Sequence, residues 1–398
     1  MALPPEALPL TGIVVADFSR VLAGPLATMT LADLGARVIK IERPGEGDDT
    51  RHWGPPFSPT GSTYFESVNR NKESIELDLT TDADRAVAIA IASNADILVE
   101  NFKPGGAASL GLGYDELSVL NPGLIYASIS GFGSGRGAEL PGYDFIVQAV
   151  GGLMSITGDP EGPPMKVGVA VVDILTAKDA TIGILAALQA RNETGLGRRL
   201  EVNLLSSLQG ALANQGQSHL GAGLTPRQMG NAHPSIAPYE LLNCRDKPLA
   251  LACGNDRQFV ATLRVLGLES LLSDERFLTN SARVEHRAEL VTALEGRLAT
   301  RTASYWQTAL TAVGVPAGQV GSIADGLELA RALDLAPTIE VKDASGNPSG
   351  AQFRSPISWT PAVTPRTAAP PALGEHNDSV RRWLASLPGG VTPKISSD

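Results

Sequence analysis

Cysteine, histidine and aromatic residues are scarce in this chain of 398 residues. The two cysteines, Cys244 and Cys253, are too few for a disulfide framework or for a metal site built on cysteine ligands. The five histidines lie far apart in the sequence, so they lack the close spacing of a metal-binding motif. We therefore expect neither disulfide bonds nor a bound metal ion.

Positive charge and long apolar segments are lacking as well. A formal net charge of −10 at pH 7 argues against a nucleic-acid or anionic-membrane binder, because both favour a basic surface. No apolar run approaches the roughly 20 residues that cross a bilayer, and residues 1–9 lack the features of a secretory signal. The composition predicts a cytoplasmic protein without nucleic-acid or membrane partners. An anionic ligand remains compatible with a local cluster of basic side chains and backbone N–H groups.

The first half of the chain alternates strand and helix patterns. Short β-branched runs predict strands, and apolar residues at three- and four-residue steps predict helices between them. The predicted strands are 13–17, 37–41, 74–78, 95–99 and 124–129, and the predicted helices are 25–34 and 82–93. This order indicates a Rossmann-like α/β domain with a mainly parallel sheet covered on both faces. Such sheets bind ligands beyond the carboxyl ends of their strands.

The second half has a different organisation. A helical stretch runs to about Leu220, a segment with Gly and Pro follows, and one strand with three helices comes next. Seven prolines between residues 337 and 371 indicate an extended return segment. The predicted divisions are a large α/β domain, 1–200; a helix and linker, 201–238; a small α+β domain, 239–325; and a return linker with a C-terminal segment that packs on the large domain, 326–398.

The most informative single residue is Asp173. An apolar, β-branched run, 166–172, ends at this acid, and a helical pattern continues from it to about Arg191. Asp is a preferred N-cap residue, and the positive end of the helix dipole stabilises its ionised form. A carboxylate held charged at the end of an apolar sheet is a candidate nucleophile. The same pattern also fits an aspartate that only caps the helix.

Common nucleotide-binding and hydrolase motifs are missing. The first strand–helix junction, 17–25, has one glycine where the dinucleotide-binding motif needs three. The sequence has no P-loop, no Gly-x-Ser-x-Gly elbow and no His-Glu-x-x-His helix. The glycine-rich stretch 131–137 fits a flexible loop after a strand as well as it fits a phosphate-binding loop.

A series of short motifs, in a fixed order, covers nearly the whole chain. The motifs are 17–25, 34–45, 69–79, 99–105, 142–145, 151–158, 254–259 and 373–376. In these motifs the chain resembles the class III CoA-transferases of the CaiB/BaiF type, the family that includes formyl-CoA transferase and α-methylacyl-CoA racemase.

The resemblance implies a covalent mechanism at Asp173. Its carboxylate would attack an acyl-CoA thioester to form an aspartyl anhydride, and the CoA thiolate would return to form an aspartyl-CoA thioester. A free carboxylic acid would then accept CoA. The chemistry needs an ionised nucleophile and oxyanion stabilisation but no metal. Coenzyme A and acyl-CoA would be substrates, and no tightly bound cofactor is expected.

The resemblance also implies a set of ligand contacts, with Arg43 beside the adenosine. The positions that line CoA in the family match Leu22, Ala23, Arg43, Leu77, Asp78, Leu79, Asn101, Phe102, Lys103, Tyr143 and Asp144. The positions that would meet the acyl group match Gly254, Asn255 and Asp256.

Three positions depart from the family pattern. Ser109 and Thr80 stand where transferases of the family often have an arginine and a lysine that contact phosphate. The candidate replacements are Lys103, Arg70 and Lys72. Leu22 stands where formyl-CoA transferase has a glutamine near the thioester, which argues against that particular activity.

Racemisation at the α-carbon is the alternative activity within this family. The racemases pair the aspartate with a histidine in a Gly-His-Asp motif, because deprotonation and reprotonation need two groups on opposite faces. This chain has Tyr143 at the histidine position, and a tyrosine with an ordinary pKa near ~10 serves that role poorly at neutral pH. The substitution favours the transferase. The stretch 231–234, Asn-Ala-His-Pro, is most similar to relatives that handle dicarboxylic acids.

The resemblance finally implies a homodimer of two interlocked chains. Extended linkers on both sides of a small domain would make one chain an open ring. A lone ring would leave apolar linker residues such as Leu220, Ile236 and Val341 in water. Threading of a second chain would bury them, so folding and dimerisation are expected to be inseparable.

Overall fold

The computed structural model describes residues 7–387. Within them the chain forms two compact units, and each unit is assembled from separate stretches. The first unit comprises 7–151, 167–222 and 336–387, and the second comprises 152–166 and 223–335. Most of the segment tested for a secretory signal and the last eleven residues of the predicted return segment lie outside the described residues. The domain boundaries given above stay a prediction.

Thirteen strands lie in the described part of the chain. They are β1 (Val14–Asp17), β2 (Arg37–Glu42), β3 (Phe57–Ser58), β4 (Gly61–Ser62), β5 (Lys72–Glu76), β6 (Ile97–Glu100), β7 (Ile125–Ser130), β8 (Arg198–Asn203), β9 (Tyr239–Asn243), β10 (Pro248–Ala252), β11 (Ala317–Gln319), β12 (Thr338–Lys342) and β13 (Pro348–Phe353). The five strands predicted in the first half lie within two residues of β1, β2, β5, β6 and β7.

Fifteen α-helices lie in the same residues. They are α1 (Ala23–Asp33), α2 (Thr63–Glu66), α3 (Asp82–Ser93), α4 (Gly106–Ser109), α5 (Tyr114–Leu120), α6 (Asp144–Val150), α7 (Val171–Thr194), α8 (Leu204–Ala211), α9 (Ala213–Ala222), α10 (Asp256–Leu266), α11 (Asn280–Glu285), α12 (Arg287–Leu298), α13 (Ala303–Thr311), α14 (Ile323–Ala332) and α15 (Asn377–Ser386). None of these helices is long and apolar enough to cross a membrane.

A six-stranded parallel sheet organises the first unit. Its strand order is β5-β2-β1-β6-β7-β8, and every neighbouring pair is parallel. The strand order reverses between β1 and β6, so the loops after these two strands diverge and leave a crevice at their carboxyl ends. The predicted α/β class with a mainly parallel sheet is thereby confirmed.

Helices cover both faces of this sheet. On one face, Ile91 of α3, Leu117 of α5 and Val380 of α15 join one apolar cluster with Ile39 and Leu98 of the strands. On the other face, α1 and α7 pack against each other and contact β1, β2, β7 and β8. The long helix α7 therefore has a fixed position beside the carboxyl end of β7.

Two local predictions are corrected by the structure. The strand β8 was not predicted, because its residues are largely polar and charged, are exposed or partly exposed as an edge strand allows, and form no apolar run. The apolar, β-branched run 166–172 was expected to lead to Asp173 at the end of a sheet, but it contains no strand: residues 166–170 have no regular secondary structure, and α7 begins at Val171. Gly168 interrupts the run, Val169 is exposed, and the N–H of Val167 donates to the Gln148 side chain and not to a neighbouring strand.

The second unit has a three-stranded antiparallel sheet in the order β11-β10-β9. Its apolar cluster joins Leu249 of the sheet to Phe259, Leu263, Leu294 and Trp306 of α10, α12 and α13. These helices lie close to the three that the apolar spacing predicted. The helix α14 was not predicted, and most of it lies in the expected return linker that begins at residue 326.

The return segment contains an antiparallel hairpin of β12 and β13. Val341 lies in β12 and is only 1% exposed. It was expected to lie in water in an isolated chain, and this expectation was wrong, because the hairpin and a parallel bridge from Lys342 to Ala368 enclose it.

Candidate active site

Asp173 lies in the first turn of α7. The helix begins at Val171, and Ala170 occupies the N-cap position without a side-chain cap. Asp173 is therefore not the N-cap residue that its sequence predicted. The cap comes from Asp144 at the start of α6, whose Oδ1 accepts the N–H of Val172 at 2.7 Å and of Asp173 at 3.2 Å. Because Asp144 satisfies these helix-terminal donors, the Asp173 side chain is not needed as a cap.

The Asp173 carboxyl is unusually basic for an aspartate. Burial and the neighbouring charge of Asp144 raise the pKa of Asp173 to about 7. The sequence predicted that the helix dipole would hold this carboxylate ionised. The structure gives a different balance, because removal from water and repulsion between like charges both favour the protonated form. An aspartate with this pKa is partly ionised near neutral pH, and its raised basicity favours nucleophilic attack.

Two aromatic residues from the segment between β2 and β5, Tyr64 and Trp53, contact each other, and Tyr64 is close enough to Asp173 to feel its charge. Burial, and then the charges of Asp173 and Asp144, raise the pKa of Tyr64 to about 12, so the phenol stays protonated. The Tyr64 ring meets the Trp53 ring edge-on, with the ring centroids 5.1 Å apart. The pair adds an aromatic surface and a phenolic donor within electrostatic range of Asp173.

A cavity of about 280 Å³ opens onto Asp173. Its walls come from the loops after β1, β6 and β7 and from the start of α8, where Leu204 lies. Six of the residues predicted to contact CoA line it together with Asp173: Leu22, Ala23, Asn101, Phe102, Lys103 and Tyr143. The structure thus brings these distant motifs to one place at the carboxyl edge of the sheet.

A second cavity, of about 580 Å³, lies along the same edge. It is formed mainly by the segments after β1, β2 and β5. The predicted contacts in its wall are Arg43, Leu77, Asp78, Leu79 and Phe102. Arg20 and Phe102 line both cavities, so the two spaces adjoin each other at the reversal of strand order. Of the predicted CoA contacts, Asp144 lines neither space, since its carboxylate is engaged at the start of α7.

Asn101 holds the loop after β1 in place. Its amide oxygen accepts the N–H of Arg20 at 2.9 Å, and its amide nitrogen donates to the Arg20 carbonyl at 2.8 Å. The next residue, Val21, has a φ of 71°, a strained conformation for a β-branched side chain. Its N–H faces both carboxylate oxygens of Asp48 at 3.3 Å. Asn101 therefore shapes the cavity through the backbone of the opposite loop.

Two enclosed lysines lie beneath these loops. Lys40 pairs with Asp48 at 2.9 Å and Lys72 pairs with Asp17 at 3.1 Å, and all four side chains are completely buried. Burial lowers the pKa of Lys72 to about 8, although the Asp17 charge opposes this shift. Burial alone would raise the pKa of Asp48, but the Lys40 charge and hydrogen bonds from Thr50 lower it to about 2. The pairs are mutually dependent, because loss of one partner would leave a buried charge alone.

Two candidate replacements for the missing phosphate contacts are corrected by this geometry. The Lys72 ammonium donates to Asp17, the Pro25 carbonyl and the Asn69 amide, so its three protons are used inside the core. Arg70 is buried and forms two hydrogen bonds with Asp33, at 3.0 and 2.6 Å. Neither cation is available to a ligand. Lys103 lines the cavity beside Asp173 and remains a candidate.

Arg20 is a cation that the sequence analysis missed. It lines both cavities and donates to Asp49 at 3.0 Å. Asp49 also accepts from Arg43 at 2.8 Å, so one carboxylate holds two partly exposed guanidinium groups along the cleft. Planar guanidinium groups suit phosphate binding.

The predicted substrate residues lie in the second unit, at the start of α10. Asn255 caps this helix by accepting the N–H of Gln258 at 3.0 Å, and the Gln258 Oε1 accepts the N–H of Gly254 at 2.9 Å. Asp256 accepts from the buried guanidinium of Arg283 at 2.6 Å. All three residues are exposed and have a structural role in the turn. Their contact with substrate stays a prediction.

The described residues offer a candidate carboxylate nucleophile, Asp173, and no cluster of metal ligands. Within residues 7–387 no group of three or more His, Cys, Asp or Glu side chains could hold a metal ion. The chemistry available from the chain itself at Asp173 is nucleophilic attack with support from N–H and O–H donors.

Three residues near the site escaped the sequence analysis: Tyr64, Arg20 and Gln148. Tyr64 and Trp53 stand in a Gly- and Pro-rich segment that also contains Phe57 and Phe65, and four aromatic side chains in such a segment are an unusual signal. Arg20 follows the first strand, where ligand-binding residues of parallel sheets collect. Gln148 gives no comparable signal, because an amide in a short helix is usually exposed.

Comparisons with known proteins identify the family of this chain. The family model described as CoA-transferase family III matches residues 10–377. The chain is 42% identical to a succinate–glutarate CoA-transferase of Agrobacterium fabrum, over 98% of this chain and 99% of that protein. It is 42% identical to an acetyl-CoA:oxalate CoA-transferase of Acetobacter aceti, over 81% of this chain and 83% of that protein.

A solved structure gives the same result for the fold. A CaiB/BaiF family protein from Brucella suis superimposes with a TM-score of 0.83 and is 42% identical, covering 94% of this chain and 99% of that one. Sequence similarity over nearly the full length and this structural similarity agree with each other. The chain belongs to CoA-transferase family III.

Proposed function

We propose that this enzyme transfers CoA from an acyl-CoA thioester to a free dicarboxylic acid, with Asp173 as the covalent nucleophile. The observation that carries the proposal is the basic carboxyl of Asp173 in the wall of a cavity lined by six predicted CoA contacts. The chemistry follows from what a carboxylate can do to a thioester.

The reaction would proceed through four exchanges at acyl carbons. The Asp173 carboxylate attacks the carbonyl carbon of the donor thioester and the carbon–sulfur bond breaks. The products are an aspartyl anhydride and free CoA thiolate. The thiolate attacks the aspartyl carbonyl and releases the donor carboxylate, which gives an aspartyl-CoA thioester. The acceptor carboxylate attacks this thioester and expels the thiolate again. The thiolate then attacks the acceptor carbonyl, which forms the new thioester and restores Asp173.

Each exchange develops negative charge on a carbonyl oxygen, and the site offers donors for it. The backbone N–H groups at the start of α1, where Leu22 and Ala23 line the cavity, carry the partial positive charge of a helix N-terminus. The protonated Tyr64 phenol is a further donor near Asp173. Arg20 and Arg43 would hold the phosphate groups of CoA in the adjoining cavity.

The acceptor class rests on the relatives. Their names include glutarate and oxalate as acids, and both are dicarboxylic. Arg257 follows the predicted substrate residues and is exposed, and its side chain has no hydrogen-bond or ion-pair partner among residues 7–387. A free guanidinium is suited to the second carboxylate of such an acid.

The proposal is tested by replacing the nucleophile. We expect Asp173→Asn to lose CoA transfer by at least about three orders of magnitude while CoA binding is kept, because the cavity walls are unchanged. Hydroxylamine added during turnover should convert Asp173 of the native enzyme to a hydroxamate that mass spectrometry locates. Transfer at the native rate by Asp173→Asn would refute the proposal.

Racemisation is distinguished by proton exchange at the α-carbon. Tyr143 stands at the position of the racemase histidine, and it is 62% exposed. We expect little deuterium uptake from heavy water into a 2-methylacyl-CoA. Rapid uptake without transfer to any carboxylate would favour the racemase.

We also propose that the enzyme is a homodimer of interlocked chains. Leu220 of α9 and Ile323 of α14 are each 80% exposed in the single chain, and neither helix buries a residue. Ile236 is partly exposed. Burial of these exposed apolar side chains against a second chain would remove them from water.

A further inference from the structure

A chain of hydrogen bonds leads from a buried amide to Asp173. Gln148 of α6 is completely buried. Its Nε2 donates to Oδ2 of Asp144 at 2.6 Å, and its Oε1 accepts the N–H of Val167 at 2.9 Å. The other Asp144 oxygen, Oδ1, accepts the N–H of Asp173 at 3.2 Å. One side chain thus holds both the acid beside Asp173 and the segment that leads into α7.

We propose that Gln148 is a positioning residue for the reaction: it fixes the Asp144 carboxylate against the start of α7 and so sets the reactivity of Asp173. The inference rests on the proposed role of Asp173 as the nucleophile.

The hydrogen bonds leave Asp144 little freedom to rotate. One of its oxygens faces two backbone N–H groups of α7, and the other faces the Gln148 amide. A buried amide is retained at a cost, because each of its polar groups needs a partner in the interior. Gln148 meets this requirement only in the orientation that joins Asp144 to Val167.

The fixed charge beside Asp173 acts on the first covalent step. Two neighbouring carboxylates repel each other while both are ionised. When Asp173 is acylated it loses its charge, so the repulsion is relieved in the anhydride and in the aspartyl thioester. Repulsion between Asp144 and ionised Asp173 raises the energy of the ground state and so lowers the barrier to the uncharged acyl intermediate. This holds only if the Asp144 carboxylate cannot rotate away from Asp173.

Other groups around Asp173 do not supply this effect. Arg20, Lys103 and Glu139 line the same cavity, but burial and the charge of Asp144 are what raise the pKa of Asp173. Tyr64 of α2 has a pKa of about 12 and carries no charge near neutral pH. The helices α1 and α8, which also contact α7, present Ala23 and Leu204 to the cavity. Asp144 of α6 is the charge that acts with burial on Asp173.

The test compares the pH dependence of kcat/KM in the native enzyme and in two variants of Gln148. Gln148→Leu removes both polar ends, so the charge of Asp144 is either neutralised or displaced. We expect the acid limb, with its native midpoint near 7, to move down by about one pH unit or more. We expect kcat above the midpoint to fall by roughly tenfold, with KM for acyl-CoA nearly unchanged.

Gln148→Glu separates positioning from a loss of packing. It keeps the side-chain length and an acceptor for the Val167 N–H, and it adds either a donor or a negative charge beside Asp144. We expect a midpoint at or above the native value. Thr181→Val is the matched control, because it removes a buried hydroxyl that donates to Ala177 at 2.8 Å further along the same helix, and it should keep the native midpoint.

The outcomes distinguish this inference from the proposed function. A native midpoint in Gln148→Leu, or an equal fall in both Gln148 variants, overturns the positioning role. If Gln148→Leu does not fold, Gln148→Glu decides, and a midpoint below the native value refutes the inference. Asp173→Asn is measured beside them: its inactivity with unshifted Gln148 variants refutes the positioning role alone, and its activity refutes the nucleophile.

Discussion

Replacing Asp173 by Asn should stabilise the folded chain above pH 7. The amide keeps the shape of the side chain but removes its charge, and with it the repulsion from Asp144 and the cost of burying a carboxylate. The folded state raises the pKa of Asp173 to about 7 from an ordinary value of 3.8. Protonated Asp173 therefore favours the folded state below the unfolded pKa, and this contribution is lost as the pH rises through about 7.

The size of the effect follows from the two pKa values. A rise from 3.8 to about 7, at about 1.4 kcal/mol for each unit, gives a ceiling of about 4 kcal/mol above pH 7. Asp173 is partly exposed to the cavity, so water screens part of this repulsion. We expect Asp173→Asn to raise the free energy of unfolding by about 1–3 kcal/mol above pH 7 and by much less near the unfolded pKa.

Urea unfolding at several pH values, at one protein concentration, measures this difference. Constant concentration matters because association between chains would contribute to the apparent stability. Asp179→Asn is the matched control, since this acid is exposed on the same helix. The reasoning is refuted if the stability gain of Asp173→Asn does not grow between about pH 4 and pH 8.

Three further outcomes follow from other parts of the molecule. Arg43→Ala should raise KM for acyl-CoA by about tenfold with kcat unchanged, whereas Arg382→Ala on the exposed side of α15 should change neither in steady-state kinetics. Lys72→Met should lower the free energy of unfolding by about 3–5 kcal/mol in urea titrations, because it leaves Asp17 as a buried charge. Sedimentation at nanomolar concentration should find a homodimer, and a folded, active monomer there would contradict the interlocked assembly.

Much of the first unit could be predicted because its strands are short apolar runs separated by clear helical patterns. A parallel strand that is buried on both faces, such as β6, accepts almost only apolar residues, so its sequence is recognisable as a strand. An edge strand such as β8 is partly exposed to solvent and tolerates charged residues. Its Arg and Glu residues therefore do not distinguish it from the helical stretches beside it in the sequence. The hairpin of β12 and β13 is equally obscure, since it lies in a segment with many prolines and exposed residues.

A residue of the candidate site could be predicted from the sequence where its residue type and its local pattern together indicate one role. Asp173 drew notice because an acid follows an apolar run and opens a helix. Its partners could not be found in that way, because the roles of Gln148 and Asp144 depend on how α6 packs on α7. For Lys72 the sequence suggested a role that the structure does not support. Its place in a family motif suggested a contact to phosphate, but its side chain is completely buried.

The three-residue difference between the expected position of Asp173 at the N-cap and its observed position in the first turn has a chemical consequence. The carboxylate of an aspartate at the N-cap would accept hydrogen bonds from backbone N–H groups. These bonds stabilise the negative charge and make the carboxylate a weaker nucleophile. At its actual position the backbone donors are met by Asp144 from a different helix. The capping acid and the proposed nucleophile are then two residues, and the first can raise the basicity of the second. If α7 began three residues later, Asp173 would be the N-cap and the two roles would merge, so the packing of α6 on α7 is as much a part of the proposed site as the carboxylate itself.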